Sequence, residues 1–215
     1  AATAALFPDE MEESQIGEIP RGWKQGVLAD VCHLNPESWS AKALPNKVNY
    51  VDLANAKSGE ILEFQEISGK DIPSRARRVL RFGDTIIGTV RPGNRSFALI
   101  GRNNLTGSTG FAVLRPNAEE WLEFVYIMAT SESNIDRLTH LADGGAYPAV
   151  RPEVVAQERG VIPDQMIVQE FHKYVHPFFV KITANRESAE TLAELRVALL
   201  PELLSGNLSF ECEEG

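Results

Sequence analysis

The chain has 215 residues, of which 43% are hydrophobic and 24% are charged, and its formal net charge is −9. This composition is that of an ordinary globular protein with one or two domains. It excludes a membrane-spanning protein, because no apolar run approaches the roughly 20 residues that a spanning helix needs. No secretory signal opens the chain, and the two distant cysteines, Cys32 and Cys212, have no zinc-binding spacing. The sequence therefore predicts a cytoplasmic protein with reduced thiols.

The charge is distributed unevenly along the chain. Residues 1–20 contain five acidic and no basic side chains, whereas residues 65–105 contain eight basic side chains against three acidic ones. Seven of those eight bases are Arg, whose planar guanidinium suits phosphate and guanine. The segment indicates nucleic-acid binding, with an ordinary solvated charged face as the alternative.

In chain order, residues 1–20 are predicted to form an acidic linker or tail, and the absence of an initial Met favours a fragment of a longer protein. A globular domain is then expected over residues 21–163. After a short strand or turn at 26–34, strands are predicted at 49–53 and within 61–72, where apolar residues alternate or cluster before Gly. Residues 73–78, with the sequence PSRARR, are predicted to form a basic loop or helical turn.

Residues 83–116 are the most informative stretch of the domain. Apolar, partly β-branched runs at 85–87, 97–100 and 111–114 predict three strands, separated by a basic loop and by a Gly/Asn-rich turn. The arginines stand in or beside these breaks. Loop-borne cations at the ends of a rigid sheet can meet phosphates or base edges.

The second half of the domain is predicted to be helical before it returns to the sheet. Apolar spacing predicts one or two helices over 119–141, ended by Asp143-Gly144-Gly145, and a strand near 160–162. The expected fold class is therefore a globular α/β (α+β) domain with a mixed or antiparallel sheet, followed by a long coiled-coil-forming helix.

After Pro163 the apolar residues follow a heptad pattern, over residues 164–206, before a short acidic tail at 207–215. Their spacings of 4 and 3 alternate, which is typical of a coiled-coil seam and predicts a partner helix. A helix lying on its own sheet is the alternative. Pro177 is predicted to begin a second helix and Pro201 to kink or end it. The seam residues are Phe171, Val175, Phe178, Ile182, Asn185, Ala189 and Leu192.

Six segments in a fixed order carry a family resemblance. They are GEIPRGW, GDTIIGTVRP, STGFAVLRP, GGAYPAVRP, VIPDQMIVQEF and LRVALLPELLSG. In this order they resemble the specificity subunit of type I restriction–modification systems, over essentially the whole chain from Gly17 to Gly206. Members have two target-recognition domains, each followed by a helical region. This chain has one of each and resembles the C-terminal half, with a natural half-subunit that dimerises as the alternative.

The resemblance implies a non-catalytic function. The recognition domain would read one half of a split double-stranded DNA target, and the helices would set the distance to the other half, or to a second copy, and dock a methyltransferase subunit. That subunit would use S-adenosylmethionine, so no cofactor is expected on this chain, and a separate restriction and motor subunit would cleave. A coiled-coil adaptor without DNA readout is the alternative function.

The candidate DNA-binding residues combine arginines with small polar groups at predicted turns. Arg91 and Arg95 flank a Pro-Gly-Asn turn that is expected to project both side chains the same way. Tyr147 is expected to pack on DNA or to be buried in a structural turn. Each of the others has a structural alternative as a surface or turn residue. The full set is Arg75, Arg77, Arg78, Arg91, Asn94, Arg95, Arg102, Asn103, Asn104, Ser108, Thr109 and Tyr147.

Enzymatic functions are not supported by the motifs. His172 and His176 are four residues apart, a spacing that can bind zinc, but no third ligand stands at motif spacing. The Gly107–Gly110 segment lacks the Gly-Lys-Ser/Thr of a phosphate-binding loop. We therefore expect neither a metal site nor catalysis by this chain.

Overall fold

A computed structural model describes residues 10–14, 17–142 and 147–206. The predicted helix end at 143–145 and the tail at 207–215 lie outside these residues. The four helices of the described chain are α1 (Leu122–Thr130), α2 (Glu132–Ala142), α3 (Pro152–Ala156) and α4 (Gln165–Leu204). The strands are β1 (Met11–Ser14), β2 (Gly17–Pro20), β3 (Lys24–Val27), β4 (Cys32–Leu34), β5 (Lys47–Val51), β6 (Ala56–Lys57), β7 (Glu60–Ile61), β8 (Gln65–Ser68), β9 (Ala76–Leu80), β10 (Thr85–Gly88), β11 (Phe97–Leu99), β12 (Leu105–Ser108), β13 (Phe111–Pro116) and β14 (Arg159–Ile162).

Two four-stranded sheets dominate the fold. The central sheet has the order β11-β10-β13-β4 and is antiparallel throughout, whereas the outer sheet has the order β8-β5-β12-β9 and contains one parallel pair, β5 with β12. Two-stranded pairings join β1 to β2, β3 to β14 and β6 to β7. The predicted fold class, an α+β domain with mixed sheets followed by a long helix, is confirmed.

The central sheet is buried on both faces, which explains the continuous apolar runs of its strands. Ile87, Ala112 and Leu114 pack in one core cluster with residues of all four helices. Ile86 and Val113, on the opposite face, pack in a second cluster with residues of the outer sheet. Successive side chains of a strand point to opposite faces, so the sheet separates two cores.

Two sequence predictions for strands of the outer sheet, β9 and β12, are wrong. Residues 76–80, including Arg77 and Arg78, form strand β9 rather than a basic loop. The predicted Gly/Asn-rich turn before Phe111 contains strand β12, whose four residues are all buried. Strand β9 contains two arginines and β12 contains Gly107, residues that are more often found in loops. The two strands are stabilised by pairing with each other.

Helix α4 begins within the first of two compact units, which extends to Tyr174. Val168 is fully buried in the core, and the Nδ1 atom of His172 lies 2.6 Å from the carboxylate of Glu123 in α1. Because Glu123 is also fully buried, this contact fixes the first turns of α4 against the domain. The predicted domain boundary at residue 163 stays a prediction.

The second unit, Val175–Gly215, contains the rest of α4. The helix continues through Pro177, so the prediction of a separate second helix there is wrong. It also continues past Pro201 to Leu204, so Pro201 does not end the helix, and the predicted kink at Pro201 stays a prediction. A proline inside a helix removes one backbone hydrogen bond, and its ring clashes with the carbonyl of the residue four positions earlier. The predicted seam residues Phe178, Ile182 and Leu192 are 69%, 44% and 65% exposed. No helix of the described chain is long and apolar enough to cross a membrane.

Cys32 provides a test of the core packing. Its thiol is buried and donates a hydrogen bond to the carbonyl of Leu28 over 3.1 Å, and burial raises its pKa to about 12. The thiolate is the reactive form, so its population at pH 8 falls about a thousand-fold relative to an exposed thiol. We expect iodoacetamide to label Cys32 very slowly in a native Cys212→Ser protein and rapidly in urea. Equal rates in both states, measured by mass spectrometry, would contradict the buried position.

Candidate nucleic-acid interface

Six of the predicted DNA-binding residues line one cavity of about 550 Å³, here called the strand-end cavity. They come from segments that are far apart in the sequence. The residues are Arg75, Arg91, Asn94, Ser108, Thr109 and Tyr147. The structure therefore brings half of the predicted set to one place.

Backbone hydrogen bonds hold these segments together at one end of the sheets. The amide of Thr109 donates to the carbonyl of Arg75 over 2.8 Å, and the amide of Arg91 donates to the carbonyl of Pro148 over 2.8 Å. The amide of Thr89, which follows β10, donates to Gly110 over 2.8 Å. The cavity thus rests on strand ends whose positions the core fixes.

Arg75 is the more rigidly held of the two cavity arginines. Its Nε donates to the Tyr50 hydroxyl over 3.0 Å, and its Nη2 forms an ion pair with Asp52. The hydrogen bond to Tyr50 and the nearby Asp52 carboxylate raise the pKa of Arg75 above its ordinary value. Its side chain nevertheless remains 58% exposed. A fixed guanidinium is therefore presented to solvent.

Arg91 differs from Arg75 in how it is held. The backbone of Arg91 is held by a hydrogen bond to Pro148, whereas the side chain of Arg75 is held by Tyr50 and Asp52. The Arg91 φ of 48° lies in the left-handed region, which is uncommon for a residue other than Gly. The side chain is exposed and has no hydrogen-bond or ion-pair partner within the described ranges. Arg91 therefore contributes an uncompensated positive charge to the cavity.

The other predicted residues of the cavity carry neutral donors and acceptors. Ser108 is buried and its hydroxyl accepts from the amide of Gly110 over 3.3 Å, whereas Asn94 is exposed. Tyr147 is 66% exposed, so the prediction that it is buried in a structural turn is wrong. The exposed Asn94 amide and Tyr147 phenol, beside two guanidinium groups, can contact both phosphates and base edges, whereas the Ser108 hydroxyl is buried.

Arg95 lies outside this cavity and is engaged by an acidic partner. Its Nη1 and Nη2 each donate to one carboxylate oxygen of Glu132, both over 2.6 Å. These hydrogen bonds lower the pKa of the Glu132 carboxyl and raise that of Arg95. Arg95 lines an adjoining cavity of about 440 Å³ together with Lys57. Arg91 and Arg95 thus have different surroundings on either side of the short turn Pro92–Asn94.

Three further predicted residues lie at the opposite end of strand β12. Asn104 precedes this strand and Thr109 follows it, so the two are about 16 Å apart along the sheet. The guanidinium of Arg102 lies 5.2 Å from the ring centroid of Phe64. Asn103 accepts a hydrogen bond from the amide of Phe82 over 3.0 Å and lines, with Asn104, a separate cavity of about 890 Å³.

Arg77 and Arg78 are half-buried on strand β9 rather than projecting from a loop. Nη1 of Arg78 donates to Ser38 over 3.2 Å, and burial lowers the pKa of Arg78. The Nη1 atom of Arg77 is buried and has no hydrogen-bond partner among the residues that the structure describes. Neither residue lines the strand-end cavity.

Sequence reasoning missed Asp52, Thr89 and Ser96 as lining residues. Asp52 directly follows strand β5 and caps a short 3₁₀ turn by accepting from the amide of Leu53 over 2.8 Å. Its position at a strand end was visible in the sequence, but its pairing with Arg75 was not. An acidic residue is not an expected part of a DNA-binding surface, because phosphates repel it.

Comparison with known proteins finds that the chain is similar to specificity subunits of type I restriction enzymes. No protein-family model matches the chain. It is 26% identical over 182 residues to the Type I restriction enzyme HindI specificity subunit of Haemophilus influenzae, an alignment that covers 82% of this chain and 39% of that protein. It is 32% identical over 77 residues to the MjaIX specificity subunit of Methanocaldococcus jannaschii, which covers 36% of this chain and 18% of that one. The chain thus spans about two fifths of the first of these relatives.

Solved structures show the same likeness over more of the chain. The crystal structure of the HsdS subunit from Thermoanaerobacter tengcongensis superposes with a TM-score of 0.64 at 28% identity, covering 95% of this chain and 53% of that one. The type I restriction–modification S subunit from M. genitalium has a TM-score of 0.53 at 14% identity, which supports the fold alone. These structures are about twice as long as the region they share with this chain.

Proposed function

We propose, from the premise that this chain is a relative of the specificity subunits of type I restriction–modification systems, that it reads one half of a bipartite DNA target. The relationship was predicted from the sequence and is confirmed by the curated relatives and the solved structures. It supports a role in DNA recognition rather than in catalysis. The strand-end cavity is the part of the surface to which we assign the DNA contact.

The observation that carries this assignment is the convergence of two guanidinium groups and several neutral hydrogen-bonding groups at one fixed sheet end. The chain as a whole is acidic, with a net charge of −9, so a local positive site is not a consequence of its composition. Arg75 is paired with Asp52, and Arg91 has no ion-pair partner among the described residues, which leaves the cavity lining with a net positive charge. Phosphate contacts of this kind position a protein on the duplex.

In the same proposal, helix α4 is the spacer and the docking element. A 40-residue helix is about 60 Å long when straight, enough to hold two readers at a set distance. Two half-sites are then matched only at a fixed separation. The methyltransferase subunit docked on the helices would carry S-adenosylmethionine and flip the adenine, because a base must leave the stack to be modified. A restriction and motor subunit would join through the same complex.

Arg91→Ala is the first test of the cavity. We expect it to weaken binding of the assembled methyltransferase complex to DNA about five-fold near physiological salt, since one phosphate contact is lost. The slope of log K against log salt should become shallower by about one. The measurement is a salt titration of binding to a duplex that the wild-type complex methylates.

Arg159→Ala is the matched control, because Arg159 is an exposed arginine of strand β14 that lines none of the three cavities described above. It should bind DNA like the wild type. Equal affinities and slopes for Arg91→Ala and Arg159→Ala would remove the cavity from the proposal. A tight protein complex without any salt-dependent DNA affinity would instead favour the coiled-coil adaptor.

A further inference from the structure

The two arginines of the strand-end cavity are held in such different ways that they are suited to different parts of DNA. Arg75 is held at its Nε by Tyr50 and at its Nη2 by Asp52. Both anchors are themselves fixed: Tyr50 is 2% exposed in a core cluster, and Asp52 caps the turn that begins at Leu53. Within the part of the chain that the structure describes, Arg91 has no such side-chain anchor.

We propose that Arg75 is the base-discriminating residue of this site and that it selects guanine in the major groove, whereas Arg91 supplies phosphate affinity. This inference rests on the proposed DNA-reading function and specifies which cavity residue carries sequence information.

The first argument is the geometry of the hydrogens that remain. A guanidinium has five N–H donors in a planar fork. With Nε directed to Tyr50 and one Nη2 hydrogen to Asp52, the donors left without a partner among the described residues are the two on Nη1 and the second on Nη2. Those donors form the terminal edge of the fork, which matches the adjacent O6 and N7 acceptors of guanine. No other base offers two acceptors there.

The second argument is rigidity. A mobile arginine can follow whichever acceptor is near, and therefore discriminates poorly between bases. An anchored fork has little rotamer freedom left to lose on binding, and it leaves its donors unpaired when the wrong base is present. Arg75 meets this condition while its side chain remains 58% exposed.

The third argument is charge. The Asp52 carboxylate offsets the charge of Arg75, so this pair gains little from phosphate attraction, which depends on net charge and salt. The Arg91 side chain has no ion-pair partner in the described ranges to offset its charge. Affinity from counterion release is therefore assigned to Arg91, and direction-dependent hydrogen bonding to Arg75.

The test separates sequence preference from affinity in the native complex of this chain with its methyltransferase partner. Duplexes with randomised positions are selected by the wild type, Arg75→Ala, Arg75→Lys and Arg91→Ala complexes, and the bound pools are sequenced. We expect Arg75→Ala to reduce the preference for guanine at one position about ten- to hundred-fold and to leave the salt slope unchanged. Arg75→Lys should not restore the preference, because a lysine keeps the charge without the fork.

Tyr50→Phe tests the positioning of Arg75 without removing it. The ring stays buried while the acceptor of the Arg75 Nε is lost, so we expect a smaller loss of preference at the same position and the same salt slope. Arg159→Ala should retain the wild-type preference. Thermal unfolding of each variant establishes that the domain is folded, and Arg75→Lys provides the comparison if Arg75→Ala does not fold.

The outcomes distinguish this inference from the function on which it rests. If Arg75→Ala weakens binding equally for all sequences and flattens the salt slope, Arg75 contacts phosphate and the inference is wrong while DNA reading stands. An unchanged preference for guanine in the Arg75→Ala complex would likewise contradict the assignment of Arg75 as the base-discriminating residue. If the wild-type complex selects no sequence and neither arginine variant differs from it, the proposed function itself fails.

Discussion

Replacing Asp84 with Ala is expected to lower the free energy of unfolding by about 3–5 kcal/mol. Asp84 is fully buried, and its carboxylate accepts from Nε and Nη2 of Arg115 over 2.7 and 2.8 Å. It also accepts from the backbone amide of Arg81 over 2.8 Å. Removing the carboxylate leaves the largely buried Arg115 with Glu37 as its remaining acidic partner. Uncompensated buried charges and donors are among the most destabilising changes in a core.

Urea unfolding followed by circular dichroism measures this loss. Asp71→Ala is the matched control, since Asp71 is an exposed acid in a short surface turn and its loss should change stability by less than about 0.5 kcal/mol. In the double variant with Arg115→Ala, the loss in free energy of unfolding should be smaller than the sum of the losses in the two single variants. Each side chain destabilises the site as an unpaired group only while its partner remains. If Asp84→Ala and Asp71→Ala unfold at the same urea concentration with the same m-value, the ion pair does not stabilise the fold.

The strands of the central sheet could be predicted from the sequence because their residues face a core on both sides. Thr85–Gly88 and Phe111–Pro116 are apolar runs bounded by Gly, Pro or Asn, which is a local signal. Strand β12 gave no such signal. Its Gly107 resembles a turn residue, but Gly is favoured here for a different reason: a Cβ would lie 3.2 Å from the side chain of Leu80 in β9, a contact tight enough that Leu80 would have to shift. That reason exists only once the two strands are paired.

The sequence identified the basic segment that carries the candidate site, but it did not identify which residues of that segment lie together on the surface. Charge counting along the chain identified residues 65–105, and Arg75 and Arg91 were found in this way. The same counting could not show that Glu132 engages Arg95, because the two residues are 37 positions apart. Nor could it place Arg102 at the far end of the sheet from Arg91. The insertion of β12 between β5 and β9 decides which loops share an end, and no local pattern encodes that order.

Replacing both Phe178 and Ile182 with Lys is expected to abolish assembly with a helical partner while the first compact unit stays folded. Both residues are at predicted seam positions and are 69% and 44% exposed, so the isolated chain gains little from their apolar side chains. In a coiled coil they would be buried, each contributing about 1.5–3 kcal/mol. Two lysines would remove that contribution and place unpaired charges in the seam. Size-exclusion chromatography with the methyltransferase subunit measures assembly, and circular dichroism of the variant establishes folding.

The matched control places the same two charges on another face of the helix. Ala184 and Thr191 are exposed and lie outside the heptad seam, so Ala184→Lys with Thr191→Lys adds the same net charge without touching it. This variant should assemble like the wild type. If this control loses assembly to the same extent as the Phe178 and Ile182 variant, the effect comes from added positive charge anywhere on α4, and α4 does not bind its partner through a heptad seam. If the seam variant assembles normally, α4 is not the docking element, and the docking surface must be sought on the first unit.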